Sequence, residues 1–368
     1  MEYKTIKELC DLVVDCPHST PTWTEHGKIV IRNNNIKNGR IDFTSPSFTD
    51  DEHFAQRIKR AIPKAGDIVI TREAPMGEVG MIPEGIECCL GQRMVLLRAN
   101  ERICDKHYLL YGLQSQVVQH QISWSEGTGT TVSNLRIPHL EQIRVPYVPL
   151  DQQKKISSVL YALEDKIENN RKLNDNLQQQ AQAIYTSMFI NSADPAWRQG
   201  HLSDLITVKY GKDHKKLSDG CYPVYGSGGI MRYVERPLYD KESVLIPRKG
   251  TLNNVIYVNQ PFWSVDTMFY TEMRLPNVAK YVFHFIKSKD LASMNAGSAV
   301  PSMTTDILNA IEVAIPSAQD LEKFEKLVSP LYRAVQKNNI QSAKLAELRD
   351  TLLPKLMSGE LDVANIRF

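Results

Sequence analysis

Thr130-Thr131-Val132-Ser133-Asn134-Leu135 returns 168 positions later as Ser298-Ala299-Val300-Pro301-Ser302-Met303. Each copy then runs through an Ile/Val-rich stretch ending in proline, Ile143 to Pro149 and Ile311 to Pro316, and enters a long segment of periodic apolar residues. In the first segment Ile156, Leu160, Leu163, Ile167, Asn170, Asn174, Leu177, Ala181, Ile184 and Met188 follow at steps of four and three. In the second, Phe324, Val328, Leu331, Val335, Asn338, Ser342, Leu345, Arg349, Leu352 and Leu356 keep the same steps. Sustained alternation of four and three is the seam of a coiled coil. The Lys, Glu, Gln and Asn between seam positions exclude helices buried on all sides. The period is too long for a solenoid, whose repeats run ~20–50 residues. It is a globular unit plus a helix, written twice, which gives one chain the symmetry of a dimer.

Upstream of the quoted stretch the copies also align. Ile6-Lys7-Glu8-Leu9 answers to Leu202-Ser203-Asp204-Leu205, and Ile68-Val69-Ile70-Thr71-Arg72 to Val244-Leu245-Ile246-Pro247-Arg248. The separation shrinks along the repeat, so the second copy is shorter and most of its deletions precede the central strand. Short β-rich runs broken by Gly, Pro and Asn (Lys28 to Arg32, Asp67 to Thr71, Arg93 to Leu97) precede helical stretches at Lys106 to Ile122 and Val278 to Met294. The expected architecture is α+β: two globular α/β units in pseudo-two-fold repeat, joined by two long helices that form an antiparallel coiled coil. Residues 1–148 make the first unit, 149–192 the first helix, 193–318 the second unit, 319–360 the second helix and 361–368 a tail. Pairing antiparallel within one chain brings the polar midpoints of the seams together and places Asn170 near Asn338. A polar seam residue costs stability and fixes register.

The 368 residues allow two or three domains. A net charge of +2 leaves no basic footprint over the whole chain, so any anion-binding surface must be local. Six cysteines without a CxxC pair read as reduced thiols of a soluble cytoplasmic protein, and Cys88-Cys89 as a buried strand pair. No apolar run approaches the ~20 residues of a membrane-spanning helix, and no membrane role is expected. There is no GxxxxGK[ST] phosphate loop and no HExxH metal motif. Cys16, His18 and His26 read as a loop, and no metal is expected.

Binding chemistry is better represented. Arg32, Asn33, Asn34, Asn35, Lys37 and Arg40 crowd cations and amides into one short loop. Arg and Lys suit guanine edges, Asn suits adenine, and all suit phosphates. The same residues would also make a solvated hairpin. Arg72 follows the central strand of the first copy. From Lys209 to Lys249 there are nine Lys/Arg against five Asp/Glu, an excess hidden in the whole-chain charge. Lys209, Lys212, Lys215, Lys216, Arg232, Arg248 and Lys249, with Tyr225 and Ser227 of a glycine-rich turn, are the candidates there. Thr128 and Thr130, between glycines, offer backbone N–H groups to phosphates; an ordinary polar turn is the alternative.

Two diverging units, each followed by a related coiled-coil helix, resemble the specificity subunits of type I restriction–modification systems over the full length. The residues that carry the resemblance are Thr131-Val132-Ser133-Asn134-Leu135, the helix entry Pro149-Leu150-Asp151-Gln152-Gln153-Lys154-Lys155-Ile156, the ending Leu353-Pro354-Lys355-Leu356-Met357-Ser358-Gly359-Glu360-Leu361, and Tyr222-Pro223-Val224-Tyr225-Gly226. The resemblance implies two target-recognition domains, each reading half of a split double-stranded DNA site, with the helices as spacer. It implies docking of two modification (methyltransferase) subunits that bring S-adenosylmethionine, and of restriction subunits that bring ATP and Mg2+. The chain itself would then bind no cofactor and hold no catalytic residue. The competing reading is a coiled-coil adaptor that binds proteins and never reads DNA, with a nuclease of unrecognised site third. An adaptor needs neither two divergent basic loops nor their attachment at corresponding positions.

Overall fold

A computed structural model describes residues 2–37, 39–124, 134–294 and 302–363. It forms two compact units, Met1–Asn169 with Ile340–Phe368, and Asn170–Asn339. Both unit boundaries fall inside the long helices, Leu150–Thr186 and Ala318–Ser358. The expected division treated those helices as separate segments. The structure divides each between the units, because each half helix supplies side chains to a unit's core.

In the first unit, strands Cys10–Asp15, Met94–Ala99, Ile68–Thr71 and Val79–Met81 form an antiparallel sheet in that order. The run Ile68-Val69-Ile70-Thr71 shows no polar alternation because both its faces are covered. The period of two sends Ile68 and Ile70, with Val95 and Leu97, into a core under helices Lys106–Gln114 and Gln116–Ser123. It sends Val69, with Met94 and Leu96, into a second core. That core is closed by the sheet Ser47–Thr49, Lys28–Ile31 and Cys88–Leu90, and Cys88 and Cys89 are both buried. Strand Glu2–Thr5 pairs antiparallel with Arg144–Tyr147. The helical stretch expected over 106–122 is broken at Ser115, whose N–H and hydroxyl both turn back to the Gly112 carbonyl.

The second unit repeats the plan. Strands Ile206–Tyr210, Met268–Met273, Ser243–Pro247 and Ile256–Val258 form the central sheet, and Arg198–His201 pairs with Glu312–Ile315. Val244, Ile246 and Phe269 face the core beneath helix Ala279–Lys287, while Leu245 and Met268 face a smaller sheet, Gly229–Val234, Asp219–Gly226 and Trp263–Ser264. That helix is shorter than the expected 278–294.

Within each unit the helix segments run antiparallel. In the first, Ile156 and Leu160 pack with Leu356, and Glu164 Oε1 lies 3.6 Å from Arg349. In the second, Tyr185 and Phe189 pack on Phe324. Asn170 Nδ2 donates to the Asn338 carbonyl at 3.5 Å. The side-chain amide of Asn338, however, pairs with Asn174 at 2.9 Å, and Asn174 Nδ2 reaches Asn339 Oδ1 at 2.8 Å. The amide cluster is therefore centred on Asn174. The second helix starts at Ala318, its Asp320 N–H capped by Ser317 Oγ, and stops before Gly359 in the left-handed region at φ 73°.

The buried stripe of the first helix departs from the expected seam near both ends. Glu164, Tyr185 and Phe189 are buried, whereas Leu163, Ile184 and Met188 are half-exposed. There the helix faces a globular core as well as its partner helix. Two ties repeat in both units. Tyr108 donates to the Pro146 carbonyl (3.1 Å) and Tyr281 to that of Ala314 (2.6 Å). One turn on, Tyr111 donates to Glu164 (3.1 Å), and His284 sits 2.9 Å from the Tyr332 hydroxyl and 2.8 Å from Gln182. Burial, opposed by Arg40, Tyr111 and Arg349, pushes the Glu164 carboxyl up.

Two outcomes follow for stability. Asn338→Leu alone removes one partner of the buried Asn174 amide and lowers unfolding free energy by roughly 1 kcal/mol; adding Asn174→Leu restores it or more, in urea titrations. Burial holds the His284 imidazole down to about 4, below the ~6.5 of an unfolded chain. The unfolded state therefore takes up the proton first. The contribution of neutral His284 is complete above about pH 6.5 and is lost as pH falls toward about 4, up to roughly 3 kcal/mol in all. The urea midpoint falls between pH 7 and 4.5, and His284→Gln flattens that fall.

Candidate nucleic-acid interface

In the second unit, several loops meet at one end of the central sheet. Lys212 N–H donates to Ser264, Val265 N–H to Tyr225, and the Arg248 and Lys249 N–H groups both donate to Thr267. Asn254 Nδ2 holds the Ser227 carbonyl at 2.7 Å. Gly250, at φ 85°, lets the loop pass so close that a Cβ there would stand 2.9 Å from Ser227 Oγ. The fold thus gathers Lys212, Ser227, Arg248 and Lys249 from three separate segments. Arg248 lies over the Tyr210 ring, 5.3 Å from its centroid, and Tyr210 is itself 53% exposed. Lys212, Lys215, Lys216 and Lys249 are exposed, with Lys215 beside the Asp213 carboxylate. Three other candidates are engaged. Tyr225 is buried in the core. Arg232 bonds Asp219 and the Leu217 carbonyl, and Lys209 faces Glu272 at 3.7 Å.

In the first unit the loop from Arg32 is a 3-10 turn, Asn33–Asn35, followed by a two-residue-per-strand hairpin, Ile36–Lys37 with Arg40–Ile41. Its polar residues divide by what the backbone asks of them. Asn35 is buried, accepting from the Arg32 N–H and donating to the Asp42 carbonyl, so it serves the turn. Asn33 donates to the Glu73 carbonyl. Arg40 turns to the helix, with Nη1 2.8 Å from Glu168 and Nη2 2.6 Å from the Glu164 carbonyl. Asn35 and Arg40 thus have structural partners within the fold, Asn35 in the turn and Arg40 on the helix. Arg32, Asn34 and Lys37 are exposed. Arg32 stacks on Trp23, which is 46% exposed and went unread in the sequence. The Trp23 segment is fixed from below: the Thr22 hydroxyl meets His53 Nε2 at 2.9 Å, and His53 Nδ1 meets Asp50 at 2.8 Å.

Arg72 is engaged too. Its Nη1 reaches both Asp15 oxygens at 2.9 Å, its Nε donates to the Leu135 carbonyl and its Nη2 to Asn134 Oδ1. Arg72 is buried, and each of its three nitrogens already has a protein partner. The backbone around it matches the second unit, where the Met303 N–H donates to Arg248 as that of Leu135 does to Arg72. Equivalent positions thus hold a locked arginine in one unit and a presented one in the other. Thr128 and Thr130, with the repeat residues 131–133 and 298–301, lie outside the described residues. Among the described residues no three His, Cys, Asp or Glu side chains gather as a metal site would need, and no helix is long and apolar enough to cross a membrane.

The family model described as the type I restriction modification DNA specificity domain matches residues 1–179 and again residues 196–347. A type I restriction enzyme specificity subunit of Methanocaldococcus jannaschii, MjaIX, is 23% identical over 350 residues, covering 83% of this chain and 80% of that relative. Another from the same organism, MjaVIII, is 19% identical over 363 residues, covering 84% and 82%. Among solved structures, the crystal structure of the S subunit of a type I restriction–modification system from Mycoplasma genitalium covers 96% of this chain and 95% of that one. It is 20% identical with a TM-score of 0.59, a likeness of fold.

The two equivalent arginines separate in experiment. Arg72→Ala leaves the Asp15 carboxylate with His18 alone, frees the Leu135 carbonyl, and lowers unfolding free energy by about 3 kcal/mol. Arg248→Ala stays within about 0.5 kcal/mol of wild type and weakens duplex binding instead. Equal destabilisation by the two changes in urea titrations would show the positions to be equivalent after all.

Proposed function

The chain belongs to the type I restriction–modification DNA specificity family, and on that premise we propose that each unit reads one half of a bipartite duplex target. DNA target recognition is the family's function. The observation that carries the finer reading is the repeat itself: one scaffold, used twice, presents different exposed cations, after a strand of the smaller sheet in the first unit and after two strands of the central sheet in the second. Arg32 and Lys37 do so in the first unit, and Lys212, Lys215, Lys216 and Lys249 in the second. Cations on a rigid frame position phosphates, and the divergent neighbours between them read bases. In this proposal the paired helices set the gap between half-sites. Two modification subunits dock on the chain and bring S-adenosylmethionine, restriction subunits bring ATP and Mg2+, and the assembly works in the cytoplasm.

Exchanging residues 1–148 for the first unit of another specificity subunit changes one half of the methylated genomic target and leaves the other. Loss of both halves would point to a single composite site. Lys212→Ala, Lys215→Ala and Lys249→Ala together flatten the dependence of log affinity on log salt, by up to roughly 0.9 for each phosphate that is no longer neutralised. Arg40→Ala lowers stability without changing that slope. An adaptor that does not read DNA would show neither the half-site exchange nor the slope.

A further inference from the structure

Strands Asp219–Gly226 and Gly229–Val234 of the second unit form a hairpin around Ser227 and Gly228. The second strand is the edge of its three-stranded sheet, bonded on one side only among the described residues. Three large apolar side chains stand out from it: Ile230 at 49%, Met231 at 61% and Tyr233 at 49% exposure. Sheet edges are ordinarily blunted with charge or proline, because an apolar edge invites association. Contiguous exposed apolar surface marks a binding face.

The turn is anchored. Ser227 is held by Asn254 and seated against Gly250. Met231 Sδ lies over Gly226, 2.6 Å from where a Cβ would stand. Around this apolar tip the neighbouring loops set Lys212 and Lys249, both exposed, and Arg248 on its tyrosine. An apolar ridge flanked by cations is complementary to the major groove of duplex DNA, where phosphates border a floor that carries the thymine methyls. The groove is ~12 Å wide and admits a two-stranded ribbon.

We propose that this hairpin enters the major groove of the half-site read by the second unit, with Ile230 and Met231 touching thymine C5 methyl groups while Lys212, Arg248 and Lys249 hold the adjoining phosphates. The inference rests on the DNA-recognition reading above and adds a base and the side chains that meet it.

The test uses the complex purified through the full-length chain and a pool of random duplexes. The sequence it enriches becomes the probe, remade with deoxyuridine for each thymine in turn, which deletes one methyl and nothing else. Wild-type affinity falls roughly four-fold at one or two thymines of one half-site, the worth of about 0.8 kcal/mol for burying a methyl-sized group. Met231→Ala and Ile230→Ala bind the thymine duplex more weakly and no longer distinguish it from the deoxyuridine one, with the other half-site's preferences and the Tm unchanged. Gly226→Ala, whose new methyl takes the seat of the Met231 sulfur, blunts the same thymine preference with Met231 still present. Variants that keep the full thymine preference, or a half-site without thymine on either strand, overturn the inference while recognition stands. A pool that enriches no sequence overturns the recognition reading and this one with it. Loss of self-association in Met231→Ala, with base preferences intact, would assign the edge to a second copy of the chain and overturn the DNA assignment.

Discussion

A helix can bury one stripe fully, and each long helix here has two surfaces to serve. Its middle meets another helix alone, while its ends must also close the core of a globular unit. The ties between short and long helices settle this conflict. Tyr108 and Tyr281 pin each short helix to the strand beside it, and Tyr111 with Glu164, or His284 with Tyr332 and Gln182, pins it to a long helix. In the second unit the basic loops leave one end of the sheet that packs on the short helix, so these buried polar interactions help to set where they stand. Polar ties suit the task because hydrogen bonds demand one geometry, whereas apolar side chains tolerate sliding.

The two ties use different chemistry at equivalent positions: a carboxylate with a phenol in one unit, an imidazole with a phenol in the other. The same happens above the sheet, where Arg72 is buried against Asp15 and Arg248 lies on Tyr210. Backbone hydrogen bonds are kept between the copies while side-chain partners are exchanged. A scaffold that holds its strands through main-chain bonds can change its outward side chains without changing its frame.

Much of this was legible in the residues. Steps of four and three gave both helices, their place in one chain around a globular unit gave the antiparallel pairing, and the repeat gave two units. The seam was misread where it meets the cores, because a 3.5-residue pattern describes helix on helix and not helix on sheet. Tyr185 and Phe189 were overlooked for that reason. Among candidate DNA-binding residues, Lys212, Lys215, Lys216 and Lys249 stand exposed as composition suggested. Arg40, Arg72 and Asn35 do not, since a guanidinium or an amide serves a buried carboxylate or a turn as well as it serves a phosphate. Their fate depended on Asp15, Glu168 and Asp42, which lie apart in sequence. Met231 drew no notice because an exposed methionine looks like any core methionine until its sheet is known.

Glu164 has a consequence for how a chain finds itself. In the repeat, Arg349 of the second helix occupies the place that Ala181 holds in the first. Paired within its own chain, the buried carboxylate meets a guanidinium. If the first helices of two copies paired with each other in the same register, it would meet a methyl group instead. There Oε2 would keep the Tyr111 hydroxyl and Arg40 would stay nearby, but Oε1, buried without a hydrogen bond, would lose the guanidinium beside it, which is costly. Between two helices similar enough to trade partners, that one charge therefore favours pairing within the chain over pairing between copies.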